Sequence, residues 1–175
     1  MTMRGAAEEA KHPKYAHIER ERRWLVDISK RPDVAALPHI LIEDRYIIGT
    51  RMRLRRMTDS MTGAQVLKLT KKYEADDPLA RPIVTAYLTD AEYEVFAALE
   101  GKSIVKRRFK IEGKAGTFSL DLFTDALTGL ELAEIEWPDD EGLRLLRAPV
   151  WATREVSEDP RYQGGALAIA GLPKD

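Results

Sequence analysis

The chain contains no cysteine, so it can build neither a disulfide framework nor a thiolate metal site. It also lacks an apolar run long enough to span a bilayer, and it carries no signal peptide. The three histidines, His12, His17 and His39, have no ligand spacing and read as ordinary polar residues. No G-x-x-x-x-G-K-[ST] loop is present, which excludes a P-loop mechanism. Net charge is nearly absent too: 28 basic residues against 29 acidic ones leave −1 at pH 7. That balance argues against an overall basic nucleic-acid binder and against a polybasic membrane anchor. Together these absences predict a cytoplasmic protein without membrane or nucleic-acid partners.

What the chain does have is charge, 33% of its residues, alongside 44% hydrophobic content over 175 positions. That is enough for one domain with a sizeable core. Residues 1–16 are polar and aperiodic and predict a flexible N-terminal arm, with a single domain over 17–175. The charge is segregated in blocks. Arg51, Arg53, Arg55 and Arg56 form one, Lys68, Lys71 and Lys72 a second, and Lys106, Arg107, Arg108 and Lys110 a third. Acid gathers at Glu131, Glu134, Glu136, Asp139, Asp140 and Glu141.

The strongest chemical signal is a pair of acidic pairs. Glu19-x-Glu21 and Glu134-x-Glu136 each lie in a β-rich run, so both carboxylates of a pair project to one side of the strand. Like charges so placed repel, and two pairs converging on one spot would make an oxygen-rich site for a hard divalent cation.

Strands are predicted over Ile18–Asp27, Arg45–Met57 (bent near Gly49), Gln65–Tyr73, Ile83–Leu88, Ile104–Glu112, Thr117–Phe123 and Leu130–Trp137. Lys30 to Asp44, with two prolines, suits turns with a short helix. Thr89 and Glu92 have capping-box spacing ahead of a helix to Leu99. Asp139–Arg147 and Ala166–Ala170 suit two further helices. Parity puts Arg51, Arg53 and Arg55 on one face opposite Met52 and Leu54, and Lys106, Arg108 and Lys110 opposite Phe109 and Ile111. Lys68, Thr70 and Lys72 oppose Leu67 and Leu69, and Glu134 and Glu136 oppose Ala133, Ile135 and Trp137. Strands with one charged and one apolar face permit an open sheet with a solvated side, or a closed barrel with a charged lumen and helices outside. Trp24, Trp137 and Trp151 read as packing residues outside such a barrel.

In order along the chain, these residues resemble the CYTH, or triphosphate tunnel metalloenzyme, family. Its opening Glu-x-Glu-x-Lys signature is matched by Glu19-Arg20-Glu21-Arg22-Arg23. The match continues through Arg51-Met52-Arg53-Leu54-Arg55, Lys68, Lys106-Arg107-Arg108, Leu120-Asp121-Leu122, Glu134-Ile135-Glu136 and Glu155 to Tyr162. The resemblance implies a mainly β, α+β fold: an eight-stranded antiparallel closed barrel, a triphosphate tunnel, with a few helices packed outside. It implies metal-dependent hydrolysis of a small-molecule triphosphate with Mg²⁺ or Mn²⁺ as cofactor, and it leaves a homodimer open. Carried over by position, Glu19, Glu21, Asp121, Glu134 and Glu136 would be metal ligands. Arg53, Arg55, Lys68, Lys106 and Arg108 would hold phosphate, with Arg23 and Tyr46 as catalytic positions. Inorganic tripolyphosphate is the expected substrate, because the chain is short and lacks an evident base-binding module. Adenylate cyclisation, nucleotide or thiamine triphosphate hydrolysis, and weakly catalytic triphosphate binding are the alternatives. Two departures stand out. The signature lysine is Arg23, which stays protonated. The acids that follow an arginine in many members are replaced by Pro82-Ile83-Val84-Thr85 after Arg81.

Overall fold

A computed structural model of the chain describes residues 13–174. Most of the expected N-terminal arm, with His12, lies outside the described residues. Nine strands and three helices follow in order: β1 (His17–Val26), β2 (Ile40–Ile47), β3 (Met52–Asp59), β4 (Gln65–Lys72), β5 (Ala80–Tyr87), α1 (Asp90–Ala97), β6 (Gly101–Gly113), β7 (Gly116–Phe123), β8 (Glu131–Glu136), α2 (Asp140–Leu145), β9 (Ala152–Glu155) and α3 (Gly164–Ala170). All pairings are antiparallel, in the order β5-β4-β3-β2-β6-β7-β8-β1, and β1 pairs back to β5. The sheet therefore closes as the expected eight-stranded barrel, with β9 added beside the end of β1. Closure removes the exposed edges that an open sheet would have to protect. No helix among the described residues is long and apolar enough to cross a membrane.

Two segments differ from the sequence expectation. Lys30–Asp44 holds no helix: turns lead from Asp27 to Pro38, and β2 begins at Ile40. Pro32 and Pro38 interrupt any helical run, and Asp33 Oδ1 instead accepts a hydrogen bond from the Ala35 N–H at 2.9 Å. Arg45–Met57 is not one bent strand but the facing ends of β2 and β3, joined by a turn. Gly49 there adopts φ +73°, and Thr50 Oγ1 donates to the Ile47 carbonyl and accepts from Met52 N–H. A positive φ at glycine is what lets the chain reverse at that point. The short strand β9 was not foreseen either.

Parity sorts the wall. Outward-facing Trp24, Phe109, Ile111, Phe118, Leu120, Ala133 and Ile135 pack with Val34 and Trp151 into one cluster, in which Phe118 makes edge contacts with Trp24 and Trp151. Burial of each such large side chain contributes roughly 1.5–3 kcal/mol. Helix α1, with the Thr89–Glu92 capping box present, covers Leu54 and Leu67 with Tyr93. The tryptophans thus lie outside the barrel as expected, Trp137 half-buried among them.

The lumen departs from a uniformly charged channel. At one end Ile104, Phe123 and Leu132 face inward and pack against Tyr162 and Leu167 of the C-terminal segment. The remaining interior carries most of the charge, with Ile42, Ile83 and the Thr70–Thr85 pair as uncharged inward positions.

Candidate active site

The inward side chains surround a cavity of about 370 Å³. Strands β1 and β8 contribute Glu19, Glu21, Glu134 and Glu136 to its wall. Their register sets Glu21 directly opposite Glu136, and Arg23 opposite Glu134. Two like charges facing each other across a strand pair are destabilising. The effect shows at Glu136, where burial first, then the fields of Glu19 and Glu21, raise its pKa above the ordinary carboxylate value. Burial acts the same way on Glu21 and Glu134 but is outweighed. Lys72 and Arg23 lower Glu21, and Lys106, Arg23 and Arg108 hold Glu134 well below its usual range. Glu19 Oε2 is buried 2.5 Å from Lys72 Nζ, within ion-pair range, yet takes no aligned hydrogen bond. Among the described residues no three carboxylates or imidazoles close into a ready cation shell.

Across the barrel, β3 supplies the cationic wall and β2 flanks it. Arg53 and Arg55 line the cavity on β3, and Asp44 and Tyr46 face inward beside them on β2. Arg55 donates through Nε and one terminal nitrogen to Asp44, at 2.6 and 2.7 Å. Arg53 Nε lies 3.8 Å from the same carboxylate and is buried without a hydrogen bond. Tyr46 is pushed up by burial and by Asp44, with Arg53 opposing, so its phenol stays protonated near neutrality. From β6, Arg108 donates to Asp121 through Nε and a terminal nitrogen, both at 2.6 Å, and also to Glu134. Lys106 donates to Asp121 as well. Burial holds the Lys106 ammonium below its ordinary pKa despite Asp121 and Glu134.

Each expected site residue has a definite place. Glu19, Glu21, Glu134, Glu136, Arg23, Tyr46, Arg53, Arg55, Lys106 and Arg108 all line the one cavity. Lys68 and Asp121 do not. Lys68 lies over the Tyr87 ring, 5.1 Å from its centroid, and Asp121 is fully buried behind Lys106 and Arg108. Arg23 is committed to protein partners: Nε to Glu134 (2.8 Å), one terminal nitrogen to the Tyr162 carbonyl (2.8 Å), the other to Glu21 (3.0 Å).

Sequence reasoning did not place Asp44, Lys72 or Arg81 in the site. Lys72 pairs with Glu19 and Glu21, and Arg81, opposite Glu19, lines the cavity with a buried Nε that no acceptor meets. Asp44 was findable, since it shares the face of Tyr46 two residues on. Arg81 needed the β1–β5 closure to be known. At the positions of the missing acids, Ile83 and Thr85 share the face of Arg81, and Thr85 meets Thr70 at 3.0 Å.

The C-terminal helix α3 comes close enough to the site that residue 164 must lack a side chain. A Cβ on Gly164 would fall 1.8 Å from the Tyr46 hydroxyl oxygen. Gly164→Ala is therefore expected to displace Tyr46 or α3 and to destabilise the protein by roughly 1–3 kcal/mol, read as a lower Tm by calorimetry.

The chain is 32% identical over 158 residues to an inorganic triphosphatase of Nitrosomonas europaea, covering 87% of this chain and 97% of that protein. It is 41% identical over 64 residues to an inorganic triphosphatase of Acetivibrio thermocellus, covering 37% of this chain and 40% of the relative. A crystal structure of an inorganic triphosphatase superposes with a TM-score of 0.57 at 24% identity, over 89% of this chain and 97% of the other. A putative adenylate cyclase from Bacillus halodurans shares the fold at a TM-score of 0.51 and 15% identity, over 75% of this chain and 86% of its own. No family profile matches the chain.

Proposed function

Since the chain belongs to the family of the inorganic triphosphatases, CYTH-like in fold, we propose that it hydrolyses a linear inorganic triphosphate, tripolyphosphate by preference, inside its barrel. The observation that carries this reading is the opposition across one cavity of a carboxylate ridge and an arginine wall with unmet donors. Arg53 Nε and Arg81 Nε are buried at the cavity without an acceptor. Buried unpaired guanidinium donors are costly, and phosphate oxygens match their fork geometry.

Charge bookkeeping points the same way. Eight cationic and five acidic side chains line the cavity, a surplus of three, and Asp44 and Asp121 directly behind them reduce it to one. A triphosphate chain carries more negative charge than that surplus, so a cation must accompany it. The donors present suit a hard one: Glu19, Glu21, Glu134 and Glu136 would hold Mg²⁺ or Mn²⁺. Mg²⁺ keeps several waters and takes only one or two carboxylates plus substrate phosphates, so a closed protein shell is not required. Such an ion would supply charge neutralisation at phosphoryl oxygens and a lowered pKa for attacking water.

The chain's own residues then position and neutralise. Arg53, Arg55 and Arg81 hold phosphate oxygens, with Arg108 and Lys106 at the far wall. Positioning with charge neutralisation is most of what phosphoryl transfer asks of a protein. In this reading Arg23 braces Glu21 and Glu134 and is not a base, because all three of its nitrogens are engaged and its pKa is raised. Asp121 serves as counter-ion to Lys106 and Arg108, and Lys68 stands outside the substrate contact.

One experiment tests the proposal. Incubation with tripolyphosphate, ATP or thiamine triphosphate, with Mg²⁺ or Mn²⁺ and then with chelator, should release orthophosphate from tripolyphosphate only when metal is present. Cyclic AMP from ATP overturns it. The loss of acids at Ile83 and Thr85 favours a second reading, a triphosphate-binding module of low turnover. A raised Tm with tripolyphosphate but no phosphate release would establish that one instead.

A further inference from the structure

Asp44 is an anomaly in the cationic wall. Its side chain is fully buried, and along its strand the next inward residue is Ile42, with Ile104 its partner on β6. A buried ion pair as a whole is a poor source of stability compared with two apolar residues in its place, although losing one partner alone strands the other. Stability therefore does not by itself select the Asp44–Arg55 pair at this apolar-flanked position.

The groups facing Asp44 indicate what does. Arg55 grips both of its oxygens, Arg53 stands 3.8 Å away, and Lys106 adds its field from β6. Burial pushes the Asp44 carboxyl up, but Arg55 and Arg53 outweigh it and bring the pKa down to about 2. The charge therefore persists over the whole working pH range. Arg55 spends Nε and one terminal nitrogen on this grip, keeps its other terminal nitrogen out of it, and lines the cavity. A guanidinium on a flexible stem loses side-chain entropy when it orders on a ligand, and a pinned one has lost it already.

We infer that Asp44 is a positioning residue of the phosphate clamp, holding Arg55 in its working pose and trimming the clamp's charge so that product can leave. This rests on the triphosphatase reading.

The test is a cycle of Asp44→Asn, Arg55→Gln and the double variant, with Asp44→Glu beside them, assayed with tripolyphosphate and metal. Asp44→Asn keeps the size and loses the charge. Its kcat should fall at least about tenfold, and pyrophosphate should inhibit it several-fold more tightly. The double variant should be no slower than Arg55→Gln within about threefold, since residues acting as one unit are not additive. Asp44→Glu keeps the charge but shifts the fork, so kcat should fall while pyrophosphate inhibition stays unchanged. Additive losses, unchanged product inhibition in Asp44→Asn, or wild-type kcat in Asp44→Glu would each overturn the inference. If Asp44→Asn fails to fold, Asp44→Glu decides alone. A wild-type protein that neither binds nor cleaves tripolyphosphate would instead remove the triphosphatase reading.

Discussion

Replacing Glu136 by Gln is expected to cut metal-dependent phosphate release from tripolyphosphate at least about a hundredfold while leaving Tm unchanged or higher. The two effects have one cause. Glu136 faces Glu21 across the β1–β8 pair and shares the cavity wall with Glu19 and Glu134. Its raised pKa says that the fold disfavours its charged form. A carboxyl with a folded pKa above its unfolded value detracts from stability at neutral pH, and the penalty fades as pH falls and it protonates. Gln removes the charge and so relieves the fold. The same substitution takes one oxygen anion from the ridge that would hold the cation. Changes even in the outer shell of a metal site cost 10–100-fold, and loss of a ligand costs at least the upper end of that range. Phosphate release and metal-free calorimetry read the two sides. Full activity in Glu136→Gln would take that residue out of the site, and a lower Tm would show that the charge is structural.

The opposite pattern is expected at Asp121. Asp121→Asn should destabilise the protein by about 3–5 kcal/mol, since removing one partner of a buried ionic network strands the others. Asp121 is fully buried and is the shared acceptor of Lys106 and Arg108. Burial already holds Lys106 below its ordinary pKa, with Asp121 and then Glu134 the main groups that oppose it, so loss of Asp121 also drives Lys106 toward its neutral form. For a domain of this size the change corresponds to a fall in Tm of roughly 6–20 °C. Thermal denaturation by circular dichroism checks it. A variant that melts with the wild type would place the cohesion of this wall elsewhere. Read together, the two substitutions separate an acid that the fold tolerates for its chemistry from one that holds the cationic wall together.

Much of this arrangement was legible before any coordinates. Alternation in Arg51–Arg55, Lys106–Lys110 and Glu134–Glu136 separated charged from apolar faces, because successive strand side chains point to opposite sides. Closure of the sheet then turned the charged faces inward. The capping box at Thr89 marked α1 for the same kind of local reason. Where local signals conflicted, the reading failed. The Arg45–Met57 run looked continuous because the apolar and aromatic residues at the end of β2 run into the alternating pattern of β3, and the turn at Gly49, with its positive φ, divides them. The helix expected in Lys30–Asp44 gave way to turns for want of an uninterrupted run between prolines.

Sequence alone thus determined the division of each charged strand into a charged and an apolar face and the two same-face glutamate pairs, since each follows from spacing along one chain segment. The barrel was implied only by the ordered family resemblance, and the β1–β5 pairing closes it. Only the tertiary structure decided which charges are free to act. It set Glu21 against Glu136, engaged Arg23 with Glu21, Glu134 and the Tyr162 carbonyl, buried Asp121 behind its cations, and brought Arg81 and Lys72 to the cavity. Those outcomes depend on register and closure between strands far apart in sequence. A charge's role is fixed by its nearest neighbours in space, and for these residues none of the deciding neighbours is local.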